Sequence, residues 1–232
     1  MRCLLLWPGR YSIKTTIKKG LEANGVEVHD LEYESLFSDF VNSFVKKYES
    51  LPNKIKNIWK KRYIRHINEG YLKEYEKWSP ELVIVYNNQF IHPDVLEIFK
   101  RRSKIVFYLG DNPLYPPTSI YNIHILFLAD YIITPDSLWC EQLKRMGIDN
   151  VFFDCVGFDP DIYHPISVSG DQYKAFGSDM VYVGTAHKHN WGYKRFLFLD
   201  QFRDFDIRIY MTGNGYERHW KTFFPGLKEK VI

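Results

Sequence analysis

The sequence predicts an α/β protein: a mainly parallel sheet with helices on both faces, followed by the start of a second sheet of the same kind. Three observations predict this. Short, nearly continuous apolar runs alternate repeatedly with segments of helical periodicity before residue 157. The intervals suit right-handed crossover helices, and strands lacking in–out alternation are those buried on both faces. After a stretch rich in Gly, Pro, Asp and Ser at 157–179, the alternation restarts.

Taken in order, Arg2–Trp7 is the first buried strand, because its apolar core is too short for a secretory signal and no small-residue cleavage site follows. Ile13–Asn24 reads as a helix, with Ser12 as its cap and Gly25 as its stop. Glu27–Leu31 is a second strand. Segments 35–48 and 51–77 read as helices, split at Leu51-Pro52-Asn53. ELVIVYNN (81–88) is a strand covered on both faces, and His92–Arg101 a helix with Pro93 in its first turn. SKIVFYLGD (103–111) is another buried strand. Residues 118–128 read as a short apolar helix, 130–136 as a strand, Ser137–Met146 as a helix and 150–156 as a strand. Beyond the break come a strand at 180–183, a helix at 191–202 and a strand at 206–211.

The expected domains are therefore 1–157, a linker at 158–179, and 180–232 as the incomplete beginning of a second domain. Two strands and one helix do not bury a core unaided. Residues 180–232 are expected to dock on the first domain, pair with another chain or be poorly ordered.

Composition narrows the function classes. Apolar residues make up 45% and charged residues 25%, the balance of a soluble globular chain, and no run approaches the roughly 20 apolar residues of a membrane span. A net charge of +3 is too weak to argue for nucleic acid. Cys3, Cys140 and Cys155 are odd in number and widely spaced, which disfavours a disulfide framework and fits a reducing cytoplasm. Cys140, inside an amphipathic helix, reads as buried and inert. The one strongly basic run is NKIKNIWKKRYIRH (53–66). Its Ile55, Ile58, Trp59, Tyr63 and Ile64 recur at helical spacing, leaving Lys and Arg for the other face. That face is either simply solvated or a peripheral contact with an anionic partner or membrane surface. Aromatics, at 17%, feed the core and suit a groove where flat rings stack on sugars.

In an open parallel sheet, ligands bind at the carboxyl ends of the strands. The residues just past each strand are therefore the candidates. Gly9 permits a tight turn, and Arg10 could meet an anion at the following helix start. The amides of Asn87, Asn88 and Gln89 suit sugar hydroxyls, or else simple turn chemistry. Asp111 follows a strongly apolar strand and precedes Asn112-Pro113. A carboxylate there can accept a proton from a hydroxyl or bind a polyol, or it can close an Asx-turn. Asp136-Ser137 reads as a helix cap. Neither a G-x-G-x-x-G fingerprint, a Walker A motif nor a G-x-S-x-G elbow is present, so no cofactor is expected. His164, His187, His189 and His219 show no i, i+4 pairing and lack Cys partners, so no metal is expected either. Past the break, Gly184-Thr185 would turn backbone amides toward an anion. Lys194 and Arg195, about one turn into the next helix, could reach a diphosphate or stand as exposed cations. Met211-Thr212-Gly213-Asn214-Gly215 repeats the pattern of a strand ending in glycines.

DYIITPDSLWCEQLKRMGIDNVFFDCVGFDPDIYHP (130–165) resembles the domain junction of GT-B glycosyltransferases, with Gly157, Asp159, Tyr163 and Pro165 at the junction positions. DMVYVGTAHKHNWGYKRFLFL (179–199) and IRIYMTGNGY (207–216) look like the opening units of that family's donor domain. FYLGDNP (107–113) is similar to the Asp-containing turn of the CgeB-like, spore-maturation-type enzymes, related to the family-4-like glycosyltransferases. The resemblance implies two Rossmann-like domains across a cleft. The first would bind a hydroxyl acceptor through Gly9, Arg10, Asn87, Asn88 and Asn112. The second would bind a nucleotide-sugar donor through Gly184, Thr185, Lys194, Arg195, Gly213 and Gly215. It implies transfer without a metal; beside it, Asp111 is the residue expected to serve as base or acceptor contact. The family's donor domain continues beyond the point equivalent to Ile232 and includes an acidic pair, so a fragment or a truncated product is expected. The rival readings are a non-catalytic nucleotide- or saccharide-binding module, and a domain that binds a partner or membrane surface through 53–66.

Overall fold

The computed structural model describes residues 1–8, 13–38, 41, 53–87, 90–114, 121–155, 157–185, 189–212, 222 and 224–231. In the first part of the chain six apolar runs become strands: β1 (Arg2–Leu6), β2 (Glu27–Leu31), β3 (Leu82–Tyr86), β4 (Lys104–Tyr108), β5 (Tyr131–Thr134) and β6 (Val151–Phe153). They form one parallel sheet in the order β2-β1-β3-β4-β5-β6. The helices between them are α1 (Ile13–Ala23), α2 (Asn53–Trp78), α3 (Pro93–Lys100), the single turn α4 (Tyr121–His124) and α5 (Ser137–Arg145). The predicted fold class, a Rossmann-like α/β sheet with helices on both faces, is the one observed.

The unbroken apolar runs are explained by burial from two sides. Leu4 and Leu6 of β1 lie in one core with Val83, Val85, Phe107 and the α2 residues Ile67, Tyr71 and Tyr75. Cys3, Leu5 and Trp7 lie in a second core with Ile84 and Tyr86, against which Ile13, Ile17 and Leu21 of α1 pack. Ile67, Tyr71 and Tyr75 recur every four residues and define the inward face of α2. Tyr75 stacks on Phe99 at 4.2 Å and donates its hydroxyl to the Phe99 carbonyl at 3.1 Å.

Several local expectations are revised. The start of the segment read as a helix at 35–48 is a 3-10 turn, Tyr33–Leu36, with Phe37 already extended; 39–40 and 42–50 lie outside the described residues. The turn is anchored to α2: a side chain at Gly70 would sit 2.7 Å from Leu36 Cδ1, and Phe37 stacks on Tyr63 at 4.4 Å. α3 begins only at Pro93, because His92 before a proline stays extended. The apolar set of the basic helix divides. Tyr63 and Ile64 are half-buried, whereas Ile58 is 59% and Trp59 44% exposed. The inward stripe begins at Ile67, and Ile58 lies roughly two and a half turns earlier, on the opposite side. Ser12, read as a helix cap, and the split at Leu51-Pro52 lie outside the described residues.

The chain forms two compact units, Met1–His164 and Pro165–Ile232. The second contains α6 (Gly170–Phe176), β7 (Met180–Thr185), α7 (His189–Asp200), β8 (Ile207–Thr212) and a 3-10 turn, Pro225–Lys230. The stretch read as a linker thus carries a helix, opened by a reciprocal capping box between Ser169 and Gln172. β7 and β8 are parallel, from Met180 opposite Ile207 to Thr185 opposite Thr212. The expectation that this unit buries no core of its own is also revised. Phe196, Leu199, Ile207 and Ile209 are closed off by Phe224 and Leu227, and Val231 bridges Ile209. The opposite face of β7 stays open, with Val181 62% and Val183 75% exposed.

Candidate functional site

The strand order reverses at β1: β2 pairs on one side and β3 on the other. In open parallel sheets the crevice for a ligand lies at the carboxyl ends beside such a reversal. Trp7 follows β1 there, Asn87 follows β3, and Gly110, Asp111 and Asn112 follow β4. Gly9, Arg10 and Asn88, assigned to the same edge by the sequence, lie outside the described residues, as does Gln89.

Asn87 organises this edge. Its backbone is left-handed, at φ 50°, a conformation asparagine tolerates better than most residues. Its own N–H donates to the Tyr108 carbonyl at 2.9 Å. Its side-chain Oδ1 accepts from the backbone N–H of Gly110 at 2.8 Å and of Asp111 at 3.3 Å. Its Nδ2 donates to Asp111 Oδ2 at 2.8 Å. One amide therefore clamps the β4 turn and orients the carboxylate. Asp111 is exposed, and its Oδ1 has no partner among the described residues. Asn112, expected to meet an acceptor, spends its side-chain Oδ1 on the Leu114 N–H at 2.8 Å, closing an Asx-turn.

Beneath the clamp lies an aromatic floor that the sequence reading did not single out. Trp7 is fully buried, 4.3 Å from Tyr86 and 5.3 Å from Tyr108 between ring centroids. The Trp7 indole Nε1 is buried without a hydrogen-bond partner among the described residues. Burial, and secondarily the charge of Asp154, pushes the Tyr108 phenol above its ordinary range. Gly110 is needed here because a side chain at that position would collide with the Tyr86 hydroxyl. Aromatics at the end of apolar runs read as core, and only the strand order shows that three of them share one edge.

Lys14 was also missed. It is buried at the start of α1, paired with Asp30 at 2.7 Å and with Glu32. Burial pulls its pKa down, but the hydrogen bonds and charges of the two carboxylates outweigh that and raise it. The available signal was the pair of acids at alternate positions, 30 and 32, running off an edge strand.

Two further acids are structural. Asp136 caps α5, as expected, accepting from Leu138 N at 2.8 Å and Trp139 N at 3.3 Å. Asp159, of the junction motif, accepts from Lys19 of α1 at 3.1 Å and from Asp161 N at 3.0 Å. The Lys19 hydrogen bond, then the backbone bond, hold its carboxyl below the usual range. Cys140 is buried, as expected, near the Val151 carbonyl.

In the second unit, Arg195 Nη1 donates to the Thr185 carbonyl at 3.2 Å, bringing the guanidinium to the carboxyl end of β7. Gly184 and Thr185 are there too, and a side chain at Gly184 would collide with the Tyr182 hydroxyl. Lys194 is exposed on α7. The parallel register sets Gly184 opposite Met211 and Thr185 opposite Thr212, so the chain leaves both strands side by side. Gly213 and Gly215 lie outside the described residues. Among the described residues no three His, Cys, Asp or Glu side chains could hold a metal ion; His187 and His219 lie outside them. No described helix is long and apolar enough to cross a membrane.

No protein-family model matches the chain, and no curated protein matches its sequence. Solved structures do match its fold. A co-structure of S. aureus MnaA with UDP shares 14% identity, covers 99% of this chain and 67% of its own, and aligns with a TM-score of 0.57. The UDP-GlcNAc 2-epimerase of Methanocaldococcus jannaschii shares 13%, covers 100% of this chain and 73% of its own, with a TM-score of 0.56. The lipopolysaccharide outer core galactosyltransferase WaaB, in its apo form, shares 12%, covers 100% and 67%, with a TM-score of 0.50. At this identity the likeness establishes a fold of the GT-B kind.

Proposed function

We propose that the chain belongs to an enzyme that moves a sugar from a nucleotide-diphosphate donor to a hydroxyl acceptor. The observation that carries this reading is the Asn87–Asp111 clamp at the carboxyl edge beside the strand-order reversal. A carboxylate held by one oxygen and open at the other suits a general base. In this mechanism the acceptor hydroxyl attacks the anomeric carbon, its proton passes to Asp111 Oδ1, and the bond from that carbon to the diphosphate oxygen breaks. Charge then builds on the departing nucleoside diphosphate. Arg195 and Lys194, with backbone amides at Gly184 and Thr185, are the groups suited to stabilise it, the preorganised electrostatic role that usually dominates such steps. The aromatic floor of Trp7, Tyr86 and Tyr108 supports the acceptor edge.

The test is nucleoside diphosphate release from a panel of UDP-, GDP- and ADP-sugars, with and without hydroxyl acceptors. Acceptor-dependent release is expected. Asp111→Asn should lower kcat by about 100- to 10,000-fold while leaving donor affinity unchanged. Donor binding with no turnover on any acceptor would instead identify a binding module. A second reading has specific support, since of the matched structures described above one was solved with UDP and another is a UDP-GlcNAc 2-epimerase. An epimerised sugar, formed without acceptor and seen by NMR, would establish that reading in place of transfer.

A further inference from the structure

The N-terminal half of α2 presents a surface that the sugar chemistry does not use. Between residues 53 and 66 the sequence carries Lys54, Lys56, Lys60, Lys61, Arg62 and Arg65 and no acid. Ile58, Lys61, Arg62 and Arg65 are all exposed and fall at i, i+3, i+4 and i+7, one outward stripe of the helix. Ile58 therefore stands among cations rather than against the core, with Trp59 half-exposed at its flank. Lys61, Arg62 and Arg65 have no ion-pair partner among the described residues, although acids are plentiful elsewhere on the surface.

We propose that this stripe docks the protein on an anionic lipid surface. Charge complementarity selects a polyanion, and the apolar residues select which one. Against a phosphate backbone in water, an isoleucine ringed by cations gains nothing. At a bilayer it enters the acyl boundary while the Lys and Arg heads stay among the headgroup phosphates. Trp59 suits the same interfacial layer. The surface is independent of the transfer reaction and stands whether or not that assignment holds.

The test is co-sedimentation of the full chain with vesicles of phosphatidylcholine containing roughly a third phosphatidylglycerol, against vesicles of phosphatidylcholine alone. Binding to the anionic vesicles only is expected, falling sharply as salt rises from about 0.1 M to about 1 M. Lys61→Glu with Arg65→Glu should weaken binding more than tenfold. Ile58→Ser should weaken it several-fold with the charge intact. All these side chains are exposed, so circular dichroism should show the variants folded. Should the charge variant fail to fold, the lipid-charge and salt dependence of the unmodified chain, together with Ile58→Ser, still decides. No sedimentation, or equal binding to neutral vesicles, overturns the proposal. So does a charge-dependent binding that Ile58→Ser leaves untouched and that RNA competes away, which would make the patch a general polyanion site.

Discussion

Asn87 occupies a left-handed backbone position at φ 50° and makes three side-chain hydrogen bonds from it. A non-glycine residue held there costs on the order of 1 kcal/mol or more, so its contacts must over-determine it. Asn87→Gly relieves that strain and still frees Asp111. The expected outcome is near-native thermal stability with a large fall in kcat, and Asn87→Ala should add a loss of about 1–3 kcal/mol in denaturant unfolding. Gly110→Ala tests the floor below. Tyr86 has Trp7 4.3 Å away and cannot swing freely, so overpacking should cost about 1–3 kcal/mol. Asp130 supplies a pH dependence. Burial raises its pKa, but the Lys104 hydrogen bond, the Ile105 N–H and neighbouring lysines lower it further, and the net shift is downward. A depressed carboxylate contributes stability above its unfolded value, near about 4, and loses it as pH falls through the folded one. Asp130→Asn should therefore flatten the acid limb of the stability profile below about pH 4 while lowering stability at neutral pH. Asp111 was legible as an acid trailing an apolar strand. Asn87 was legible only as an amide in a suitable place, because its left-handed backbone and its reach to the next strand depend on β4 lying alongside.

Among the elements, the buried strands were the most legible, since a strand covered on both faces has no polar alternation to confuse it. The cap at Asp136 was legible as well: Asp136→Ala should cost about 1 kcal/mol, read as a lower unfolding midpoint. The basic helix was half legible. Its period gave the helix, but the face that packs is set further along by Ile67, Tyr71 and Tyr75, which left Ile58 outside. The segment 157–179 hid a helix because its Gly, Pro and Ser content looks like linker, while Ser169 and Gln172 form a cap. α7 carries the second unit's core through Phe196, fully buried and 5.8 Å from the Phe224 ring. Phe196→Ala should cost about 3–5 kcal/mol, confined to that unit.

At the scale of the molecule, two units with separate cores should unfold in separate steps. Their contents are unequal: among the described residues the second core rests on six buried side chains, the first on two clusters sharing the sheet between them. Calorimetry should show the smaller unit melting first, and Phe196→Ala should move that transition alone. Alternation of strands and helices announced a parallel sheet but could not announce its order, and the order is what gathers Trp7, Asn87 and Asp111 along one edge. That order also bears on synthesis. β1 is made before both of its neighbours, and Leu4 pairs with His29 on one flank and Val83 on the other. The nascent strand finds its first neighbour early and its second only after α2 has left the ribosome. Until then Leu4 and Leu6 lack half their shelter, and a chain stalled ahead of β3 should be a ready client for chaperones.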